Sequence, residues 1–557
     1  MARFKPARRP NMRRHALNAA AVALCAAACG TAGAIEIDVG NEDMQVRFDN
    51  TVRYNFGRRI EKQNTAILGN LNADDGDRNF GKNSTVNNRI DLLSEFDAVY
   101  QRKFGGRVSA TGWYDNAYSG SLDNTSLATS NHLVNGAPAF GLSDYTKRYY
   151  RGPSGEVLDA FLFGTVDLGS MPLTVRAGRH TVNWGEALLS GGAIHGISYS
   201  QAPLDQGKAF ASPGIEAKEL YRPLSQLSGT LQATTELSFS AQYFLDWQAS
   251  RLPEAGSYLG LNDALQFGGE SLYLAPGVRA LHGTDITPDK RGDWGLATRW
   301  SPAWLEGTMG FYLRNFSDKL PAGVILKATA PRQYYLNYAS DISMAGFSLA
   351  KQVAGVSVGL DLNYRHNMPL VSDSVAVTSP AALPAAGDTL AARGDTLHGV
   401  LNALGAINAT PVFDSASWAA ELTWNHWRSV SQGAQYFKGR DSYTAIDKVS
   451  KDFWGLAVNF TPTWFQVFPG GDLSVPLSYS RGLSGNAAVA SGGNKGAGSY
   501  SAGLGLDLYS RYRFDLKYVD YFGDYVVGAN GALTVANGST TFLQDRGAVF
   551  FTFKTTF

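Results

Sequence analysis

The chain has 557 residues, and its 49 basic and 48 acidic side chains nearly balance. This balance, without a basic patch, gives no indication of a nucleic-acid partner. Sixty-one glycines and 12% aromatic residues suit a β-barrel, and they suit a secreted β-solenoid equally well.

Residues 1–34 are typical of a cleaved signal peptide. Basic residues precede an alanine-rich apolar stretch, and Ala32, Gly33 and Ala34 fit the A-x-A cleavage pattern. Both cysteines of the chain lie in this segment. The mature chain, residues 35–557, therefore has no disulfide or cysteine ligand, and removal of six basic residues leaves 43 basic against 48 acidic ones. No linker divides it, so we expect a single domain.

Strand-like alternation of apolar and polar residues recurs along the mature chain. In residues 44–56 it is nearly strict, with one face suited to lipid and the other to water. No run of 18 apolar residues follows the signal peptide, so no transmembrane helix is predicted. The predicted strands are 44–56, 89–103, 107–117, 157–168, 173–181, 224–233, 236–247, 293–300, 305–316, 342–351, 356–366, 398–410, 416–428, 453–461, 473–481, 500–508, 514–522 and 548–557.

Long and short connections alternate between these strands. This is the pattern of an antiparallel outer-membrane barrel with short periplasmic turns and long extracellular loops. The strand 398–410 is weak in the sequence, but without it the strand number is odd and the two chain ends lie on opposite sides. We therefore predict an all-β transmembrane barrel of 18 strands, with 16 as the alternative.

The last strand ends the chain on an aromatic residue. Phe551, Phe553 and Phe557 share one face at a period of two. A final strand ending in phenylalanine resembles the signal that outer-membrane barrels present to the barrel-assembly machinery. We therefore predict that machinery, outer-membrane lipid and lipopolysaccharide as partners, in the outer membrane of a Gram-negative bacterium.

A family resemblance lies in the middle of the chain. Residues 176–186 read R-x-G-R-x-x-x-x-W-G-E, and residues 213–219 read P-G-I-E-A-K-E. Together with the Phe-Pro-Gly-Gly turn at 468–471, these resemble the outer-membrane family catalogued as domain of unknown function 1302. The resemblance covers most of the mature chain and implies an outer-membrane barrel, often discussed with hydrophobic compounds, without an assigned activity.

The segment 182–219 is the best functional candidate. It has no strand alternation, and it is richer in glycine, alanine and apolar residues than a plain surface loop. We predict that it folds into the lumen as a constriction or plug. Predicted path or plug residues are Arg179, Trp184, Glu186, Lys218 and Glu219, with Arg179 and Glu186 as a possible pair. The alternative is an ordinary packed loop with Arg179 and Glu186 in a wall ion pair.

Nothing in the sequence favours catalysis. The histidines are scattered, and no H-x-x-x-H pair offers metal ligands. The acidic run 74–77 has the composition of a calcium loop, but a solvated loop is the preferred interpretation. We therefore expect no catalytic residue, no metal and no cofactor.

Three functions stay open. The first is a channel for facilitated diffusion of a small hydrophobic or amphipathic solute. The second is the outer-membrane terminus of a lipid or hydrophobic-compound transport assembly, with a periplasmic partner. The third is a surface enzyme or adhesin.

Overall fold

The computed structural model describes residues 35–557 and forms a closed antiparallel barrel of 18 strands. The predicted signal peptide, residues 1–34, lies outside the described residues. The strands are β1 (Met44–Arg59), β2 (Thr85–Tyr100), β3 (Phe104–Asp115), β4 (Ser154–Leu168), β5 (Met171–His180), β6 (Leu224–Gln232), β7 (Leu237–Phe244), β8 (Trp294–Trp300), β9 (Gly307–Phe316), β10 (Ile342–Val353), β11 (Val356–Pro369), β12 (Arg393–Ile407), β13 (Ser415–Gln432), β14 (Asp452–Phe468), β15 (Gly471–Ser474 and Leu477–Ser484), β16 (Gly498–Leu508), β17 (Tyr512–Phe522) and β18 (Ala548–Thr556).

The first and last strands close the barrel. Their register runs from Thr51 opposite Thr556 to Arg59 opposite Ala548. Beyond β18, the backbone N–H of Phe557 donates to the carbonyl of Asn50 at 2.9 Å, and the reverse bond measures 2.7 Å. The prediction of 18 strands, including the weak twelfth strand, is therefore confirmed.

Connections differ sharply between the two ends of the barrel. Eight turns of two to seven residues join strands at one end, and nine segments of 13 to 49 residues join them at the other.

Residues 104–106, predicted as a turn, instead begin β3, and the turn is 101–103. A side chain at Gly105 would lie 2.5 Å from the Ala98 carbonyl, so this glycine permits close strand packing.

The long segments form a folded layer over their end of the barrel. A five-stranded sheet combines pieces of three segments: Ser271–Ala275, Val278–His282, Gln333–Asn337, Gly323–Lys327 and Val375–Val377. Two short hairpins pair Leu133–Val134 with Ala137–Pro138 and Tyr525–Val527 with Leu533–Ala536. The helices are short: α1 (Thr65–Leu68), α2 (Asp75–Arg78), α3 (Asp144–Thr146), α4 (Ser190–His195), α5 (Gln206–Ala211) and α6 (Ala217–Leu220), with single turns at Asn116–Tyr118, Lys147–Arg151, Pro380–Ala382 and Ser539–Leu543.

The two faces of the wall differ in chemistry. Along β2, Arg89 and Asp91 are buried inside the barrel, whereas Leu92 and Phe96 are exposed on the outside. Leu162 on β4 is 71% exposed. An outward apolar band with polar residues inside is the arrangement of outer-membrane barrels, where lipid covers the band. Among residues 35–557, no helix is both long and apolar enough to cross a membrane.

Candidate functional site

The segment 182–219 leaves the end of β5 and packs against the inner faces of the barrel strands. It carries helices α4, α5 and α6, each six residues long or shorter. These pieces are too short to be stable alone, because helix formation needs more turns than they have. Their structure therefore depends on contacts with the wall.

Two wall carboxylates hold the first part of the segment. Glu421 on β13 accepts backbone N–H bonds from Leu188 at 2.8 Å, Leu189 at 3.0 Å and Gly192 at 2.7 Å. Its residue exposure is 1%. A carboxylate that receives several N–H donors makes strong, charge-assisted hydrogen bonds.

Asp361 on β11 makes the second attachment. It accepts from the N–H of Glu186 at 2.9 Å and of Ile197 at 3.2 Å. A Cβ added to Gly185, where φ is +89°, would lie 2.5 Å from this carboxylate. Glycine is thus required beside the anchor for both its conformation and its size.

Two arginines bind carbonyls at the end of α4 and just after it. Arg365 on β11 donates to the carbonyls of Ile194 at 2.9 Å and Gly196 at 3.0 Å. Arg314 on β9 donates from Nη1 to the carbonyls of Ile197 at 2.8 Å and Tyr199 at 2.7 Å. The wall thus supplies acceptors for the N–H groups and donors for the C=O groups of the segment, which satisfies its buried backbone.

The last part of the segment attaches to the other side of the barrel. Glu219 pairs with Arg53 on β1, at 2.9 Å and 3.2 Å, and both side chains are almost fully buried. Ser212 donates to Asp91 on β2 at 2.8 Å. Strands β9, β11 and β13 lie six to nine strands away from β1 and β2 around the closed 18-strand barrel. The segment therefore crosses the barrel interior from one wall to the opposite one.

A partly exposed ion network inside the barrel completes this second attachment. Lys218 pairs with Glu95 on β2 and lies 3.2 Å from Glu216, and Glu216 also pairs with Lys554 on β18. Glu216 and Glu219 form a reciprocal capping box at the start of α6. These ion pairs are partly exposed, so each contributes less than the buried Arg53–Glu219 pair.

The five predicted site residues do not form one cluster. Trp184 is buried, with its ring 5.9 Å from that of Tyr312. Glu186 lies 3.4 Å from Arg299 on β8 rather than against Arg179. Arg179 is opposite Ser225 and Ala160 in the sheet, one residue out of phase with the inward-facing His180. This register places Arg179 on the outer face of β5, away from the inward-facing His180.

A histidine pair between segment and wall was not anticipated. His195 of α4 and His398 of β12 are 203 residues apart, yet their Nδ1 atoms lie 2.9 Å apart. His195 Nε2 also bonds to the carbonyl of Gly492 at 2.8 Å. No spacing motif predicts this contact, because it exists only after the barrel closes.

The acidic run 74–77 is buried in the loop layer rather than solvated. Carboxylate oxygens of Asp74, Asp75 and Asp263 lie within 4.8 Å of one another, and these are the ligand atoms that a hard divalent cation would use. Burial and the neighbouring charge of Asp263 raise the pKa of Asp74 to about 7, although Arg78 opposes this shift.

Comparison with known proteins shows which family the chain belongs to. Residues 15–557 match the family described as protein of unknown function (DUF1302). The chain belongs to that family. No curated protein matches it. Solved structures similar to this chain include Pseudomonas aeruginosa OpdK with vanillate, at 11% identity over 92% of this chain and 98% of that chain with a TM-score of 0.39. Acinetobacter baumannii OccAB4 has 8% identity over 92% and 98%, with a TM-score of 0.41. A BenF-like porin from Pseudomonas fluorescens Pf-5 has 10% identity over 93% and 98%, with a TM-score of 0.39.

Proposed function

We propose that this protein is a channel in the outer membrane of a Gram-negative bacterium. A small solute crosses it by facilitated diffusion, and the segment 182–219 narrows its path. The observation that carries the proposal is the attachment of this segment to opposite walls, through Glu421 and Asp361 on one side and Arg53 on the other.

The interior surfaces support a polar or amphipathic solute rather than a purely apolar one. Hydroxyl groups face each other across neighbouring strands inside the wall, as in Ser478 with Ser501 and Ser480 with Ser499. Thr230 and Ser240 form a similar pair on β6 and β7. A path lined with hydroxyls replaces part of the hydration of a polar solute, which lowers the barrier to its passage.

The apolar side chains inside the barrel have a different role in this proposal. Trp184, Ile197 and Tyr312 belong to one buried cluster between the segment and the wall. Because they are packed against one another, they stabilise the segment, and Trp184 also borders a cavity between the segment and strands β5, β6 and β7. The buried ion pairs and this cluster together keep the segment in one position.

The test is uptake by liposomes that contain only the purified protein. We expect small polar and amphipathic solutes to enter faster than into empty liposomes, with a sharp limit on solute size. Sugars, amino acids, short carboxylates and fatty acids form a suitable panel. Uptake equal to that of empty liposomes for every solute would contradict the proposal and would favour a transport assembly with a periplasmic partner, which crosslinking in cells can capture.

A further inference from the structure

A second feature of the interior lies beside the start of the segment. An open cavity of about 330 Å³ is lined by β5, β6, β7 and residues 181–184. This volume is at the lower end of the range for small-molecule sites. Its lining side chains are mainly hydroxyl and amide groups with one cation: Thr174, Arg176, Thr181, Asn183, Ser228, Thr230 and Ser240.

Arg176 is the single charged residue in this lining. Other lumen arginines, such as Arg513, pair with carboxylates. Arg176 is exposed, and its guanidinium carbon lies 5.5 Å from the centroid of the Phe161 ring. A cation within about 6 Å of an aromatic face is attracted to it, and this contact leaves the N–H groups of the guanidinium available for hydrogen bonds.

The neighbouring groups are held in place. His180 Nε2 lies 2.7 Å from the Ser228 hydroxyl, and the hydroxyls of Thr230 and Ser240 are 2.9 Å apart. Trp184, which closes the cavity from the segment, is buried against the wall. The cavity thus combines one cation, several hydroxyl donors and an aromatic wall, without a carboxylate in its lining.

We propose that this cavity binds a small organic carboxylate. The guanidinium of Arg176 pairs with the carboxylate through two parallel N–H bonds, and the hydroxyls bind its remaining polar groups. The apolar part of the solute packs against Trp184. The inference deepens the proposed channel function, because it assigns the solute class that the narrowed path recognises.

The test is equilibrium dialysis of radiolabelled benzoate against the purified full chain in detergent. The variants are Arg176→Gln, Arg176→Lys and the control Arg513→Gln, which removes one lumen charge on β17, away from the cavity. We expect Arg176→Gln to weaken benzoate binding at least tenfold, Arg176→Lys to weaken it less, and Arg513→Gln to change it less than twofold. Benzyl alcohol, which has the same ring without the charge, should bind wild type at least tenfold more weakly than benzoate does.

Equal losses in Arg176→Gln and Arg513→Gln would overturn the inference, because the effect would then reflect overall lumen charge. Absence of benzoate binding to wild type would overturn it as well. Binding is measured here without any flux. A protein that binds benzoate through Arg176 but gives no liposome uptake would therefore refute the channel function and leave the binding site standing.

Discussion

Removing the Glu421 carboxylate should release the first part of the internal segment. In Glu421→Ala, the N–H groups of Leu188, Leu189 and Gly192 lose their acceptor. An unsatisfied buried donor costs about 1–3 kcal/mol, so three would cost roughly 3–9 kcal/mol. Water can enter the space left by the side chain and accept some of these hydrogen bonds. We therefore expect the free energy that holds this part of the segment in place to fall by about 3–5 kcal/mol, the lower part of this range.

Hydrogen exchange followed by mass spectrometry measures this change locally. Since about 1.4 kcal/mol corresponds to a factor of ten, exchange of the amides in residues 186–197 should accelerate by roughly a hundredfold or more. Strands β1 and β2, on the opposite wall, should keep their protection. The control is Glu236→Ala, in the exposed turn between β6 and β7. Unchanged protection of residues 186–197 in Glu421→Ala would refute the anchoring role of this carboxylate.

Three further predictions follow from the same contacts. Glu219→Ala removes two hydrogen bonds from the buried Arg53 guanidinium, which keeps Asp91 at 3.9 Å as a counter-charge. The loss of stability should therefore be smaller than the about 3–5 kcal/mol of a fully unpaired buried charge, and it should speed exchange in residues 212–219; unchanged exchange there would contradict it. Burial raises the pKa of Asp74 from 3.8 to about 7, so the folded loop layer binds this proton more tightly than the unfolded chain does. Loop stability should therefore fall as the pH rises across that range, and Asp74→Asn should flatten the dependence of limited proteolysis on pH; the same slope in both proteins would show that another group titrates. Deletion of Phe557 should reduce heat-modifiable barrel in cells while refolding in detergent is retained, and normal assembly in cells would argue against its role as a signal.

The strands were predictable because a barrel wall imposes a period of two on every strand. Buried Arg89 and Asp91 alternate with exposed Leu92 and Phe96 on β2, which is the pattern visible in the sequence. The twelfth strand has a weaker pattern, and it was predicted because a barrel with both chain ends on one side needs an even number of strands. The same period of two places Arg179 on the outer face of β5, because it shares that face with the exposed residues Val175 and Ala177.

The partners of the internal segment could not be predicted. Asp361 lies 164 residues after Ile197, and Glu421 lies 229 residues after Gly192. No sequence motif connects either carboxylate to the backbone N–H groups that it binds. Which wall residue meets which loop residue depends on the circumference and tilt of the closed barrel, which local patterns do not contain. Composition did indicate that residues 182–219 were too apolar for a surface loop, but it did not give their anchors.

Planar-bilayer conductance tests the central claim most directly. In one variant, a Gly/Ser linker of half the length replaces residues 186–212; in a control, the same treatment is applied to residues 378–388 in the connection between β11 and β12. If the segment narrows the path, the first variant should conduct several times more current than the full chain, and the control should conduct as the full chain does. Equal conductance in all three proteins would contradict the claim that the segment controls passage.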